Sequence, residues 1–252
     1  MTFAVIDDEG KTAKAIAGTP FTDPEYTGKE YALGDVRLLA PTLPSKVVAV
    51  GRNYADHVAE VFKKSAEHLP PTIFIKPSTA VVGPGAAIKI PEYATGVEFE
   101  GELALVVGVP CKNVKAADWK SVIRGVTIIN DVSSRDLQFA DGQWARAKGI
   151  DTFGPIGPWI ETDLEKFDFA NLPIKAHHTH NGVTETKQDS NSNQMIKSVG
   201  EMVEWVSESF TLLPGDVIAT GSPAGTAEMV PGDYIEVEIP GIGKLGNPVE
   251  RA

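Results

Sequence analysis

The stretch VEFEGELALVV, residues 97–107, combines the composition of a buried strand with three regularly spaced carboxylates. Successive side chains of an extended chain point to opposite faces, so Glu98, Glu100 and Glu102 share one face. Beyond these acids both faces of the segment are apolar. The pattern predicts a strand that enters the protein interior and carries its acids at the point of entry.

Carboxylates crowded beside apolar surface raise one another's pKa or require a cation. Their hard oxygen atoms suit Mg²⁺, Mn²⁺ or Ca²⁺. The later stretch YIEVEI, residues 234–239, also spaces two glutamates by two, but its other face is regularly apolar. That cleaner alternation is typical of a half-exposed strand with a solvated side. Only the first stretch therefore predicts a cation site.

Composition describes a soluble globular protein, with 252 residues, 42% of them hydrophobic and 23% charged. A formal net charge of -11 without any Lys/Arg-rich run argues against binding to nucleic acid or to an anionic membrane. No apolar stretch approaches the roughly 20 residues of a membrane helix, and acids occupy the N-terminal segment where a signal peptide is apolar. The single cysteine, Cys111, excludes an internal disulfide and is interpreted as structural. We expect a cytoplasmic protein.

Gly and Pro residues, 24 and 18 of them, are spread along the chain and predict many turns between strands. Turns and Pro/Gly residues within the first 45 residues predict that this segment forms a separate small unit. Apolar runs predict strands at 46–51, 72–77, 86–90, 102–108 and 125–131, and Asn181-Gly182 predicts a hairpin over 172–188. Periodicity predicts helices at 54–68, 115–125 and 193–210. The predicted fold is mixed and predominantly β.

Asp131 follows an apolar run, at the end of a second predicted strand. An aspartate in this position commonly forms a turn or caps a helix. The alternative is a third carboxylate ligand beside Glu100 and Glu102. Arg135 and Gln138 follow Asp131 at i+4 and i+7, on one face of a helical turn, so a guanidinium and an amide are expected to converge with its carboxylate.

His57 and Glu60 lie three residues apart on a predicted helix and are therefore neighbours. A glutamate in this position can orient an imidazole that acts as a general base on water. The alternative is a salt pair on the protein surface. Lys148, beside a Gly/Pro-rich passage, would by itself be interpreted as a solvated lysine.

Three histidines occur in the sequence HHTH, residues 177–180, near the predicted hairpin turn. Only His178 and His180 share a strand face, and no fourth ligand is evident in the sequence. A zinc site is therefore not predicted here.

Six motifs, taken in order, carry a resemblance to a known family: GRNYADH, IFIKP, EFEGELALVVG, NDVSSRDLQ, AKGIDTFGPIGPW and LPGDVIATGSPAG. They resemble the fumarylacetoacetate hydrolase family over residues 46–252, and most of all its bacterial acylpyruvate hydrolase and oxaloacetate decarboxylase branch. The resemblance implies a β-sandwich roll of the fumarylacetoacetate hydrolase C-terminal type, following a small N-terminal β subdomain at 1–45. It also implies a homodimer that binds Mg²⁺ or Mn²⁺.

The same resemblance assigns roles to individual residues. It implies that Glu100, Glu102 and Asp131 bind the metal and that Glu98 does not. His57 and Glu60 match a catalytic dyad, on a segment that closes over substrate in relatives, and Lys148 matches a further catalytic position. The implied substrate-binding residues are Arg52, Tyr54, Arg135, Gln138 and Thr220.

The implied reaction is cleavage of a β-dicarbonyl 2-oxo acid through a metal-bound enolate, by oxaloacetate decarboxylation or 3-acylpyruvate hydrolysis. An alternative is isomerisation of 2-hydroxyhepta-2,4-diene-1,7-dioate or 5-carboxymethyl-2-hydroxymuconate, which needs only proton transfer. A third reading is a non-catalytic module that binds metal or metabolite. The joint presence of the dyad, the three acids and Lys148 disfavours it.

Overall fold

The computed structural model describes residues 1–7 and 9–252. Its strands are β1 (Phe3–Ile6), β2 (Thr12–Ala17), β3 (Glu25–Ala32), β4 (Val47–Gly51), β5 (Thr72–Lys76), β6 (Val81–Val82), β7 (Ile88–Ile90), β8 (Val97–Glu98), β9 (Gly101–Val107), β10 (Ile123–Asn130), β11 (Ser133–Ser134), β12 (Gly154–Glu161), β13 (Pro173–His180), β14 (Val183–Asn191), β15 (Val217–Ala219), β16 (Tyr234–Ile239) and β17 (Gly243–Arg251). The α-helices are α1 (Ala55–Phe62), α2 (Arg135–Asp141), α3 (Ala145–Lys148) and α4 (Val199–Ser209). Short 3₁₀ helices cover Leu33–Asp35, Ala66–His68, Ser78–Ala80, Ala116–Ser121, Leu164–Lys166 and Ser192–Gln194.

Strands outnumber helices, which confirms the predicted predominantly β fold. A seven-stranded mixed sheet has the order β5-β4-β15-β9-β10-β12-β6, and a five-stranded sheet has the order β14-β13-β16-β17-β7. Strands β8 and β11 form a two-stranded ladder, and β1, β2 and β3 form a small antiparallel sheet at the N-terminus. The two large sheets supply most of the core.

The seven-stranded sheet is buried on both faces. Leu103 and Leu105 of β9 belong to the larger core, together with Val237 of β16 in the five-stranded sheet. Ala104 and Val106 belong to a second, smaller core on the other face. The prediction that this stretch is buried on both faces is therefore confirmed. Glu102, near the start of β9, is buried with it.

The predicted single strand over 97–107 is divided into β8 and β9, and residues 99–100 belong to neither strand. At the break, the backbone N–H of Glu100 donates to the side-chain oxygen of Asn130 at 2.9 Å, and that of Gly101 donates to Gln188 at 2.9 Å. Side chains thus replace the ladder hydrogen bonds that a continuous strand would make. The break lets β8 leave the sheet and pair with β11.

Two of the predicted helices have different bounds. Helix α1 ends at Phe62 because Lys63 adopts a left-handed conformation, with φ 54°. The third predicted segment begins as a helix only at Val199, where Ser198 and Glu201 form a reciprocal capping box. Its expected first residues, 193–198, therefore precede the helix.

Residues 115–125 were predicted as one helix, and this was wrong at the C-terminal end. The helical part is 3₁₀ and covers Ala116–Ser121, while residues 123–125 belong to β10. The predicted hairpin is confirmed, with Asn181 and Gly182 at φ 50° and 78° between β13 and β14. Among the described residues, no helix has the length and apolar character needed to cross a membrane.

Candidate active site

Three carboxylates meet at one end of the β9–β10 ladder. In this antiparallel pair Glu102 lies opposite Ile129, and Gly101 lies opposite Asn130. Glu100 directly precedes β9 and Asp131 directly follows β10, and the N–H of Asp131 donates to the carbonyl of Glu100 at 2.8 Å. Ligand atoms of Glu100, Glu102 and Asp131 all lie within 4.8 Å of one another, and all three residues are buried. The register thus explains the convergence, while metal binding stays a prediction.

Two buried lysines neutralise part of this charge. Lys148 Nζ donates to Glu100 Oε2, Asp131 Oδ2 and the hydroxyl of Ser133, each at 2.7 Å. Lys76 Nζ donates to Asp131 Oδ1 at 2.6 Å, from the last position of β5. The sequence reasoning missed Lys76, although it lies in the IFIKP motif. Its signal was a lysine directly continuing an apolar strand.

Among the described residues Glu102 makes no ion pair, whereas Lys148 pairs with both Glu100 and Asp131. Burial raises the pKa of Glu102 well above its usual range, and the nearby charges of Asp131 and Glu100 raise it further. Burial would also raise the pKa of Glu100, but Lys148 and Arg135 outweigh it and hold that pKa well below its usual value. Glu102 Oε2 accepts a hydrogen bond from the backbone of Gly221 at 2.7 Å.

This donor set fits a hard divalent cation. All the donors are carboxylate oxygens, as Mg²⁺ and Mn²⁺ prefer. Glu100 Oε1 is buried and accepts no well-aligned hydrogen bond, although Arg135 Nη1 lies 2.7 Å away. A lone pair on Glu100 is therefore available to a cation, and a cation bound there would favour the ionised form of Glu102.

His57 lies between two carboxylates. Its Nδ1 is 3.6 Å from Glu60 Oε2, and its Nε2 is 3.6 Å from Glu100 Oε1. Glu60 is itself held by the backbone N–H of Gly225, at 3.0 and 3.1 Å from its two oxygens. Burial would lower the pKa of His57, but the two carboxylates outweigh it and raise that pKa. Because His57 is buried, the alternative of a surface salt pair does not describe it.

Arg135 and Gln138 do not converge on Asp131 as expected. Arg135 Nε donates to Glu98 Oε2 at 2.7 Å, and Nη1 donates to Gln138 Oε1 at 2.8 Å. The cause is the β8–β11 ladder, in which Ser133 lies opposite Glu98. This pairing brings Glu98 beside the start of α2, so Arg135 bridges Glu98 and Glu100.

The remaining predicted substrate residues have different surroundings. The guanidinium carbon of Arg52 lies 5.0 Å from the ring centroid of Phe62 and 4.9 Å from that of Trp144. The ring of Trp144 also lies near Lys148, whose Nζ is 5.8 Å from its centroid. Arg52 Nε is buried and has no hydrogen-bond partner. The ring of Trp144 thus lies near both Arg52 and Lys148, and Lys148 pairs with the acidic cluster.

Tyr54 and Thr220 are both fully buried. The Tyr54 hydroxyl has no hydrogen-bond partner, and burial raises its pKa, with the charges of Glu102 and Asp56 adding to the effect. The Thr220 hydroxyl donates to the carbonyl of Leu103 at 2.9 Å, so it already supports β9.

Comparison with known proteins identifies the family. A family model described as the fumarylacetoacetate (FAA) hydrolase C-terminal domain matches residues 46–250. The chain belongs to the fumarylacetoacetate hydrolase family. An N-terminal family model described as Rv2993c-like matches residues 1–41. The resemblance found in the six motifs is thereby confirmed, together with the fold type it implied.

Curated relatives cover most of the chain. Protein Rv2993c of Mycobacterium tuberculosis is 51% identical over an alignment of 256 residues, which covers 100% of this chain and 94% of the relative. The mitochondrial oxaloacetate tautomerase Fahd2a of Rattus norvegicus is 39% identical over 223 residues, 85% of this chain and 69% of the relative.

Solved structures of similar proteins include enzymes with different names. A crystal structure of Cg1458 with an inhibitor has TM-score 0.95 and 76% identity, over 96% of this chain and 90% of that one. The 5-carboxymethyl-2-hydroxymuconate delta-isomerase of Mycobacterium smegmatis has TM-score 0.89 and 47% identity, over 100% and 95%. The maleylpyruvate hydrolase of Sphingobium sp. SYK-6, in complex with manganese(II) and pyruvate, has TM-score 0.75 and 30% identity, over 89% and 77%.

Proposed function

We propose that this enzyme cleaves a carbon–carbon bond in a β-dicarbonyl 2-oxo acid, by oxaloacetate decarboxylation or 3-acylpyruvate hydrolysis. The observation that carries the proposal is the burial of Glu100, Glu102 and Asp131 against Lys148, with the imidazole of His57 3.6 Å from Glu100. A general base, fixed positive charge and a hard-cation donor set thus lie within one small volume.

We assign Mg²⁺ or Mn²⁺ to Glu100, Glu102 and Asp131. The assignment is supported by the all-oxygen donor set and by the similar maleylpyruvate hydrolase, which is in complex with manganese(II) and pyruvate. When bound, the cation supplies Lewis acidity that polarises the keto group of a 2-oxo acid. Lys148 and Lys76 hold the two oxygens of Asp131 in fixed directions.

In acylpyruvate hydrolysis, His57 removes a proton from water, and the resulting hydroxide adds to the acyl carbonyl. Glu60 orients the imidazole and stabilises its protonated form. The bond between C3 and C4 then breaks, its electron pair passes to the pyruvate enolate, and protonation at C3 gives pyruvate and a carboxylic acid. In oxaloacetate decarboxylation the same bond breaks with loss of carbon dioxide, and no water is consumed.

The substrate's carboxylate needs cationic or amide partners. We propose Arg135 and Gln138 for the carboxylate next to the keto group, since Arg135 lies beside Glu100 and donates to Gln138. Tyr54 and Thr220 are proposed to bind substrate near Glu102, whose charge acts on Tyr54 and whose carboxylate accepts from Gly221, the residue after Thr220. Arg52, whose Nε lacks a partner, is proposed for a second, distal carboxylate. A homodimer is also proposed, on the family resemblance alone.

Isomerisation or tautomerisation is the second candidate. It is favoured by the 47% identical muconate isomerase and by relatives named oxaloacetate tautomerases. His57 between Glu60 and Glu100 also suits proton transfer between two carbon or oxygen atoms of one substrate. This reaction needs no water and breaks no carbon–carbon bond.

The test is a rate comparison on protein stripped of metal and then titrated with Mg²⁺ or Mn²⁺. The panel contains oxaloacetate, acetylpyruvate and 5-carboxymethyl-2-hydroxymuconate, with pyruvate formation and tautomer or isomer exchange followed separately. Pyruvate formation well above the free-metal background supports the proposal. Exchange without pyruvate would replace it by the second candidate, and no turnover of any substrate would favour a binding module.

Replacement of His57 by Ala separates the two cleavage reactions. We expect it to reduce acylpyruvate hydrolysis more than oxaloacetate decarboxylation, by about 10²–10⁴-fold for hydrolysis, because only hydrolysis needs water activation. Equal losses would contradict that role. Glu100→Gln should abolish metal-dependent activity, and retained activity with unchanged metal affinity would remove Glu100 from the ligand set.

A further inference from the structure

A second group of metal-binding side chains lies beside the β13–β14 hairpin, formed by His178, His180 and Asp233. The two histidines alternate with Thr179 on β13 and share one face of the strand. Asp233 reaches that face from the turn before β16, since Tyr234 pairs with Thr179. One ligand atom from each of the three residues lies within 4.8 Å of the others. The third ligand, more than 50 residues away, was not evident from the sequence.

The group is held in place by its neighbours. Asp233 is buried, and its Oδ2 accepts from the backbone N–H of Val230 at 2.9 Å. The ring of His178 is also buried and packs edge-on against Phe99, with centroids 5.6 Å apart. His180 has a side chain that is 53% exposed. Two ligands are therefore fixed, and the third is open to ions from solvent.

We propose that His178, His180 and Asp233 form a second metal site, for a nitrogen-preferring first-row transition ion such as Zn²⁺. Two imidazole nitrogens and one carboxylate oxygen suit Zn²⁺, with water as the fourth ligand. The all-oxygen cluster of Glu100, Glu102 and Asp131 suits harder cations instead. The two sites therefore differ in metal preference as well as in location.

The present contacts are short enough that an ion must part them. His178 Nε2 is 2.7 Å from Asp233 Oδ2, and His180 Nδ1 is 2.6 Å from Oδ1. Two ligands of a tetrahedral Zn²⁺ ion lie about 3.3 Å apart. A rotation of exposed His180 opens its own contact with Asp233, and the ion must also replace the hydrogen bond between buried His178 and Asp233. Asn181 Nδ2 donates to His180 Nε2 at 2.9 Å, and rotation of this exposed amide by 180° would place its oxygen to accept a hydrogen bond from Nε2–H when Nδ1 binds the ion.

The site is independent of the acidic cluster in its ligands. His178 touches Phe99, the residue before Glu100, so the two groups are neighbours that share no ligand. Binding is therefore tested with saturating Mg²⁺ present, using Zn²⁺ in competition with a chromophoric chelator on the full chain. Co²⁺ serves as a second probe, because a tetrahedral site gives it strong visible absorption.

We expect the wild-type chain to bind one Zn²⁺ that survives Mg²⁺ saturation, and His180→Gln to weaken this binding at least tenfold. Asp233→Asn should behave likewise, with melting temperature followed because Asp233 is buried. His177→Gln is the comparison variant, since His177 lies on the same hairpin but groups with Glu236 and Glu238, a neighbouring set of side chains that could itself hold an ion. Its Zn²⁺ affinity and Co²⁺ spectrum should stay at the wild-type level.

Three outcomes would overturn the proposal. The wild-type chain could bind no Zn²⁺ under Mg²⁺ saturation, which would leave Asp233 as a hydrogen-bond acceptor for the two imidazoles. Zn²⁺ binding could be lost in Glu100→Gln and kept in His180→Gln, which would assign the ion to the acidic cluster. Equal losses in His177→Gln and His180→Gln would indicate unspecific binding by surface histidines.

Discussion

Glu102→Gln tests whether the buried acids are built for a cation. Burial and the charges of Asp131 and Glu100 raise the pKa of Glu102 well above its usual value of 4.5, while Lys148 opposes them. Without a cation the folded chain must therefore protonate this carboxyl or bear its buried charge, and proton uptake from a group of usual pKa 4.5 costs at most about 3 kcal/mol at pH 7. Glu102→Gln removes this cost and should stabilise the chain in the presence of chelator by up to about 3 kcal/mol.

The substitution keeps the shape of the side chain, and the amide oxygen can still accept from Gly221. For a domain of this size we expect the melting temperature in chelator to rise by about 6–12 °C. Wild-type protein should gain about 2.7 kcal/mol from Mn²⁺ at one hundred times its dissociation constant, and the variant should lose this gain. Both quantities are measured by thermal unfolding in chelator and in Mn²⁺.

Glu98→Gln is the matched control, because Glu98 lies in the same stretch but pairs with Arg135 and Thr226. It should keep the Mn²⁺-dependent rise in melting temperature. Two results would refute the reasoning: a Glu102→Gln variant that melts lower than wild type in chelator, or one that responds to Mn²⁺ as wild type does.

Two further substitutions test other parts of the chain. Arg52→Met should raise KM about 10–100-fold for oxaloacetate, a dicarboxylate, and leave KM for monoanionic acetylpyruvate nearly unchanged, because Arg52 is proposed to bind the distal carboxylate; equal KM changes would exclude that role. Asp216→Asn should cost about 3 kcal/mol at neutral pH in denaturant unfolding, because the carboxylate accepts from Ser45, Lys46 and the N–H of Leu213. Burial would raise the pKa of Asp216, but these hydrogen bonds outweigh burial and lower that pKa below 3.8. The carboxylate therefore contributes its full stabilisation above pH 3.8, and this stabilisation is lost only as the pH falls through the lower pKa of the folded chain. A difference between wild type and Asp216→Asn that already shrinks between pH 7 and pH 5 would contradict this assignment.

The sequence predicted features that depend on local pattern. Alternation in 97–107 predicted a strand buried on both faces, and Asn181-Gly182 predicted a hairpin, because both signals lie within a few residues of the structure they determine. Spacing proposed Glu100, Glu102 and Asp131 as ligands, each beside a simpler alternative. It also proposed His57 and Glu60 as a catalytic pair, and the family resemblance favoured both assignments. The expected meeting of Arg135 with Asp131 was wrong because helical spacing cannot show the β8–β11 ladder, which brings Glu98 to Arg135.

Lys76 was missed because its local signal, a lysine directly continuing an apolar strand, is weak. A lysine at the end of a strand is usually solvated, whereas here β5 ends beside the residue that follows β10, and the ammonium meets Asp131. The interruption between β8 and β9 also depends on residues that are distant in sequence. It depends on the side chains of Asn130 and Gln188, which are 30 and 87 residues from the N–H groups that they satisfy.

The interruption between β8 and β9 explains why three evenly spaced glutamates lie in two different environments. A continuous strand would give Glu98, Glu100 and Glu102 one common environment, as their spacing suggested. Because the chain leaves the ladder at residues 99–100, Glu98 turns to Arg135 and Thr226, while Glu100 and Glu102 face Asp131. Arg135 pairs with both Glu98 and Glu100. Glu98, which is not a candidate ligand, thus supplies the negative charge that stabilises the buried guanidinium of Arg135 beside the candidate ligand Glu100.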